Sequence, residues 1–157
     1  MDSEGFAMAK QLAEEAFELD PNGAEIHNHL GYFLSMDGNF EEAILLYEKA
    51  IRLNPYPPSF YYNRLGSAYA LMERYDDAID VCKKGLKRQP SDFMGRFILA
   101  AVYIWQGREE EAQIETSKIL NVISDFSLSS LRETSLYKNK EIIELWIEAL
   151  GKAGFTE

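Results

Sequence analysis

His27 and His29 are the two histidines of the chain, and short-spaced imidazoles invite a metal. Two residues apart on a helix they leave from different sides, so they cannot close on one ion. Carboxylates recur as pairs, Glu41-Glu42, Asp76-Asp77 and Glu109-Glu110, which could hold a cation or divide the work of acid and base. Each pair stands where a helix is expected to begin, and negative charge there is favoured by the helix dipole, so the pairs read as structural. The single Cys82 falls in a column that faces a partner helix, which makes it a buried thiol and excludes a disulfide within the chain. Glycine-rich phosphate loops, paired cysteines and serine nucleophile signatures are absent from the sequence. The reading is therefore a non-enzyme with no catalytic residue, no cofactor and no metal.

The elements that must position any site follow from a repeat. Leu30-Gly31, Leu65-Gly66 and Leu99-Ala100 mark one column at intervals of 35 and 34 residues. Ala43, Ala78 and Ala112 mark a second, Ala16, Ala50 and Gly85 a third, and Pro21, Pro55 and Pro90 a fourth. Small residues at helical spacing let a second helix come close, and each proline follows a helix end because it cannot continue the ladder. The unit is helix, turn, helix, stop. Such a unit is too small to bury its own apolar face, so the units must stack into an all-α solenoid with a long concave surface.

The pattern Leu30-Gly31, Leu34, Gly38, Phe40, Ala43, Tyr47, Ala50, Pro55 resembles a tetratricopeptide repeat (TPR), a 34-residue antiparallel helix pair. Tyr62, Leu65, Gly66, Tyr69, Tyr75, Ala78, Gly85 and Pro90 carry the same likeness in a second unit, and Leu99, Tyr103, Gly107 and Ala112 in a third. The resemblance implies a right-handed solenoid and divides one domain, 1–157, into repeats at 24–58, 59–92 and 93–126. Residues 3–22 match a second helix alone, with Ala9, Ala13 and Ala16 on a face whose partner helix is lacking, so weak self-association of an otherwise monomeric chain is expected. The chain reads as a piece of a longer protein, or as one opening on a half-unit that acts as a cap. Residues 127–157 leave the pattern; Ile142, Ile143, Trp146, Ile147 and Leu150 form a wide apolar face suited to cover the last unit.

That tail carries a second likeness. Phe126-Ser127-Leu128, Leu131-Arg132, Tyr137-Lys138 and the closing Leu150-Gly151-Lys152-Ala153-Gly154-Phe155 are similar to the end of the TPR regions that follow nucleotide cyclase domains in bacterial proteins, although Asn139-Lys140 stands where Asp-Pro is common there. The likeness implies a regulatory or docking segment of a signalling protein.

In the TPR family the first helix of each pair lines the groove. Carried over by register, that column set gives Asn28, Tyr32 and Met36 in the first unit, Phe60, Asn63 and Ser67 in the second, and Phe97 and Trp105 in the third. Asn28, Tyr32, Phe60 and Asn63 are expected to be at least partly exposed, the asparagines gripping a peptide backbone and the aromatics its side chains. Phe97 and Trp105 could equally pack against the terminal helix. Family members that clamp the C-terminal carboxylate of chaperones use Lys and Asn in the first unit, Asn in the second and Lys and Arg in the third, where this chain has Asn28 and Tyr32, then Arg64, then Met94 and Ile98, so the cationic clamp is missing.

Charge narrows the partner. The formal net charge of −10 disfavours nucleic acid, whose phosphates demand lysine and arginine, and disfavours anionic membranes. No apolar run approaches the ~20 residues that span a bilayer, and the N-terminus lacks a basic secretory signal, so a cytoplasmic location is expected. The function read from sequence is a protein-interaction module that binds an apolar or mildly basic peptide or partner domain in its groove; the alternative is an intramolecular regulatory scaffold of a larger enzyme such as a nucleotide cyclase.

Overall fold

Acidic residues open the second helix of each repeat, and basic ones stand in its last turn, Arg52 in the first, Lys87 and Arg88 in the second and Lys118 in the third, so that both helix ends match the dipole. In the computed structural model, which describes residues 3–124 and 126–156, the result is nine helices and no strand among the described residues. They are α1 (Ser3–Leu19), α2 (Ala24–Asp37), α3 (Phe40–Leu53), α4 (Ser59–Leu71), α5 (Tyr75–Arg88), α6 (Phe93–Trp105), α7 (Glu109–Leu120), α8 (Leu128–Thr134) and α9 (Lys140–Ala153).

Three antiparallel pairs, α2 with α3, α4 with α5 and α6 with α7, stack in chain order. The small columns lie where each pair is tightest. A Cβ at Gly31 would stand 2.8 Å from the Tyr47 ring, and one at Gly66 would stand 2.5 Å from Cys82 Sγ. Ala43, Ala78 and Ala112 are fully buried in the same seams, and burial pushes the Cys82 thiol well above its ordinary pKa, which keeps it protonated. Each first helix ends in a residue of left-handed conformation: Gly38 at φ 88°, Glu73 at φ 58° and Gly107 at φ 72°. Glu73 thus occupies the glycine column of the middle repeat, against the steric preference of a residue with a Cβ.

The half-unit departs from expectation. Ala9, Ala13 and Ala16 are half-buried rather than bare, because α1 packs on α2 with Phe6 against Phe33 at 5.1 Å and Phe17 against His27 at 5.3 Å. The open side of α1 instead carries Met8, Leu12 and Leu19. At the other end α9 lays its apolar face on α6 and α7, and Phe97, Phe126 and Phe155 meet with ring centroids 4.5–5.4 Å apart.

Glu73→Gly should raise the stability of the chain by about 0.5–1 kcal/mol, by relieving the left-handed strain in excess of the entropy a glycine adds to the unfolded state. Urea denaturation measures it; a loss of stability would show that the Glu73 side chain outweighs the strain.

Candidate functional site

Successive first helices α2, α4 and α6 lie side by side, so residues at matching positions of each share one face. The asparagine column on that face is a brace between repeats. Asn28 is 0% exposed; its Oδ1 accepts a short bond from Arg64 Nη1, and its carbonyl lies 3.4 Å from the same nitrogen. Asn63, 5% exposed, donates from Nδ2 to Asp92 Oδ2 at 2.8 Å, while Asp92 Oδ1 caps α6 by accepting from the N–H groups of Met94 and Gly95. The expected exposure of Asn28 and Asn63 is therefore corrected: stacking brings the next repeat over each amide, which then bonds to it.

Arg64 is held from three sides. Its guanidinium lies 4.6 Å from the Tyr32 ring centroid and 5.2 Å from that of Phe60, with Asn28 on its Nη1. Desolvation lowers its pKa somewhat, opposed by Tyr47, Tyr32 and Glu25, and a guanidinium stays charged regardless. Burial raises the Tyr32 hydroxyl against the opposing charge of Arg64. Nearby, Tyr61 donates to Glu25 Oε2 at 2.7 Å, and burial together with that carboxylate pushes its pKa up to about 12.

The C-terminal segment does more than cover the last unit. After α8 it runs back across the face to the first repeat, where the Lys138 N–H donates to the Met36 carbonyl at 3.1 Å. Lys138 Nζ lies 2.6 Å from Asp37 Oδ1, and Lys10 Nζ donates to Asp37 Oδ2 at 2.6 Å. Midway, the Tyr137 and Ser67 hydroxyls are 3.3 Å apart. Between this strap and the first helices lies a cavity of about 460 Å³.

Of the residues expected in the groove, Tyr32, Met36, Phe60, Asn63, Ser67 and Phe97 line this cavity. Asn28 lies beneath Arg64 and outside the lining, and Trp105 packs on Trp146 at 4.9 Å and Tyr75 at 6.0 Å. Within the lining, Met36 and Phe97 are buried core residues, whereas Phe60 remains 38% exposed. Sequence reasoning missed Arg64 as a site residue, together with Leu131, Tyr137, Ile143 and Trp146 of the tail. The available signal for Arg64 was its being the one charged residue of α4. The histidines diverge as expected: His27 is buried with Nδ1 2.8 Å from the Gly23 carbonyl, and His29 sits beside Glu25.

Residues 24–57 and 59–92 match the family model described as tetratricopeptide repeat. The chain carries tetratricopeptide repeats. Its TPR array is similar over 114 residues, at 32% identity and 73% of the chain, to a peroxisomal targeting signal receptor of Saccharomyces cerevisiae, of which it covers 18%. The chain spans between 10% and 30% of the length of the curated relatives it matches. Among solved structures the array resembles MamA (22% identity, TM-score 0.70, 98% of this chain and 93% of that one). It also resembles YrrB, a TPR protein with an unusual peptide-binding site (20% identity, TM-score 0.64, 96% of this chain and 77% of that one). At these identities both likenesses speak for the TPR solenoid fold.

Burial pushes the pKa of Asp37 up, and the hydrogen bonds and charges of Lys10 and Lys138 outweigh it, so the carboxyl lies below its ordinary value. A depressed folded-state pKa gives stability that is present above the unfolded value and lost as pH falls through the folded one. The urea midpoint of the parent should therefore exceed that of Asp37→Asn at neutral pH, and the gap should close in acid below the ordinary carboxylate range. Parallel curves down to that range would show that the two lysines do not stabilise the strap.

Proposed function

We propose that this chain is a non-catalytic protein-interaction module of the cytoplasm, one domain divided at the repeat boundaries 24–58, 59–92 and 93–126 with a half-unit before and a cap after. The observation that carries the reading is the partly open aromatic rim beside the cavity. Phe60 and Met94 are exposed there while their neighbours are packed, and Tyr32 stands half-buried across Arg64. Such a rim offers apolar contact to a peptide side chain, and the chain's net charge of −10 suits an apolar or mildly basic segment while repelling nucleic acid and anionic membranes. The peptide-binding site of YrrB and the targeting signal in the name of the yeast relative support the same reading. Among the described residues no helix is long and apolar enough to cross a membrane. The exposed Met8, Leu12 and Leu19 of α1 would allow weak self-association of a monomer.

Peptides selected against the full chain by phage display test it. Phe60→Ala and Tyr32→Ala should each weaken a selected peptide by about 1–2 kcal/mol with little change in melting temperature. Asn28→Ala should instead cost about 1–3 kcal/mol of stability, since it strands a half-buried guanidinium. Peptides that bind unchanged after both aromatic substitutions would move the site to another face.

The strap favours a second reading, in which the array is a regulatory scaffold of a larger bacterial signalling enzyme such as a nucleotide cyclase and the tail is its switch. Tyr137→Ala combined with Lys138→Ala should release the strap and raise affinity for the selected peptides several-fold. Unchanged affinity in a variant that keeps its helicity would leave the tail a plain cap.

A further inference from the structure

Arg64 brings a positive charge to the wall of an apolar cavity, where Glu25 acts on it only from a distance. Among the described residues no carboxylate lies within 4.0 Å of its guanidinium. The two carboxylates facing this region are otherwise engaged: Glu25 accepts from Tyr61, and Asp92, itself in the cavity wall, accepts from Met94, Gly95 and Asn63. The aromatic rings of Tyr32 and Phe60 and the Asn28 oxygen stabilise the cation without balancing it. A desolvated cation with no ion-pair partner is costly, and an anion entering the cavity would recover that cost.

The rest of the lining states what that anion must carry. Met94, Ile98, Leu131, Ile143, Trp146 and Leu150, drawn from α6, α8 and α9, give it apolar wall. A volume of about 460 Å³ is within the ~300–1,000 Å³ of sites that enclose small molecules. We infer that the cavity is a binding site for a small apolar monocarboxylic acid, its carboxylate on Arg64 and its hydrocarbon tail beneath the C-terminal strap. One cation matches one negative charge. Because Nη1 is spent on Asn28, the remaining Nε and Nη2 edge is the two-donor edge that a planar carboxylate meets bidentately. Tyr137 and the strap then form part of the ligand's enclosure, so the acid and the folded-back tail stabilise each other. This site goes beyond peptide capture at the Phe60 and Met94 rim, with which it shares Met94 and the Phe60 ring beside Arg64.

Octanoate and octan-1-ol, two probes of equal chain length that differ in charge, test the inference on the full chain. Binding is followed by calorimetry and by the fluorescence of Trp146, which lines the cavity. Saturable octanoate binding at least tenfold tighter than that of octan-1-ol is expected. Arg64→Gln should abolish the difference by weakening octanoate about tenfold or more while leaving octan-1-ol unchanged, and Arg64→Lys should retain part of it. Circular dichroism melts establish that each variant is folded; should Arg64→Gln unfold, a fall in octanoate affinity with rising ionic strength in the parent carries the same information. Equal binding of acid and alcohol, no saturable binding of octanoate, or octanoate affinity indifferent to Arg64 would overturn the site. A short peptide ending in a free leucine carboxylate that binds more tightly than octanoate would overturn the choice of a free acid. Failure of the peptide reading shows instead in the peptide selection itself, made on the parent chain without octanoate, whereas the comparison of acid and alcohol uses no peptide.

Discussion

Everything in this molecule depends on how closely the two helices of a pair approach. At Gly31 and Gly66 there is no room for a methyl group, the Tyr47 ring and the Cys82 sulfur standing where it would be. Paired helices at that distance expose a narrow edge to the next pair, and the first helices then fall side by side. Only in that arrangement can Asn28 reach Arg64 and Asn63 reach Asp92, bonds that tie α2 to α4 and α4 to the start of α6. The seam within repeats therefore sets the register between them. The polar braces convert that register into specificity, because a slipped neighbour would leave a buried amide unsatisfied.

The face so assembled is not an open trough. The tail crosses it, bonded to Met36, Asp37 and Ser67, and turns a shallow apolar surface into a roofed cavity with an aromatic rim. Roof and floor come from segments far apart in sequence, so the site exists only when the repeats and the tail are both in place. Enclosure also changes the electrostatics. A guanidinium flanked by Tyr32 and Phe60 acts over a lower dielectric than one on an open surface, and among the described residues Arg64 is the one positive charge of the cavity lining.

The period of the small residues carried the fold in plain view, because close packing admits so few side chains at Gly31, Ala43, Gly66 and Ala78 that their recurrence is diagnostic. Tyr32, Phe60 and Ser67 were reachable by the same register, since side-chain direction on a helix follows position. Asn28 and Asn63 went wrong for a physical reason: position tells which way an amide points, but not that the next repeat supplies a guanidinium or a cap carboxylate to meet it. Glu73 hid the turn of the second repeat, a glycine column filled by a residue that rarely adopts its conformation. The course of 135–139 lay beyond any periodic signal. A strap without repeats is held by single contacts, and a one-dimensional pattern does not encode which carbonyl Lys138 will find.

That Lys138 contact alters the mechanics of the array. In a plain solenoid each unit answers only to its neighbours, and the stack can flex like a spring, its pitch varying with load. Here the far end is fastened to the first repeat, so the stack cannot unwind or extend without breaking the Lys138 bond to Met36 and the Asp37 ion pairs. The strap thereby adds stiffness to the curvature that the helix seams set. A pull or a twist applied at either end would be borne first by those few polar contacts, while the apolar seams between helices stayed intact.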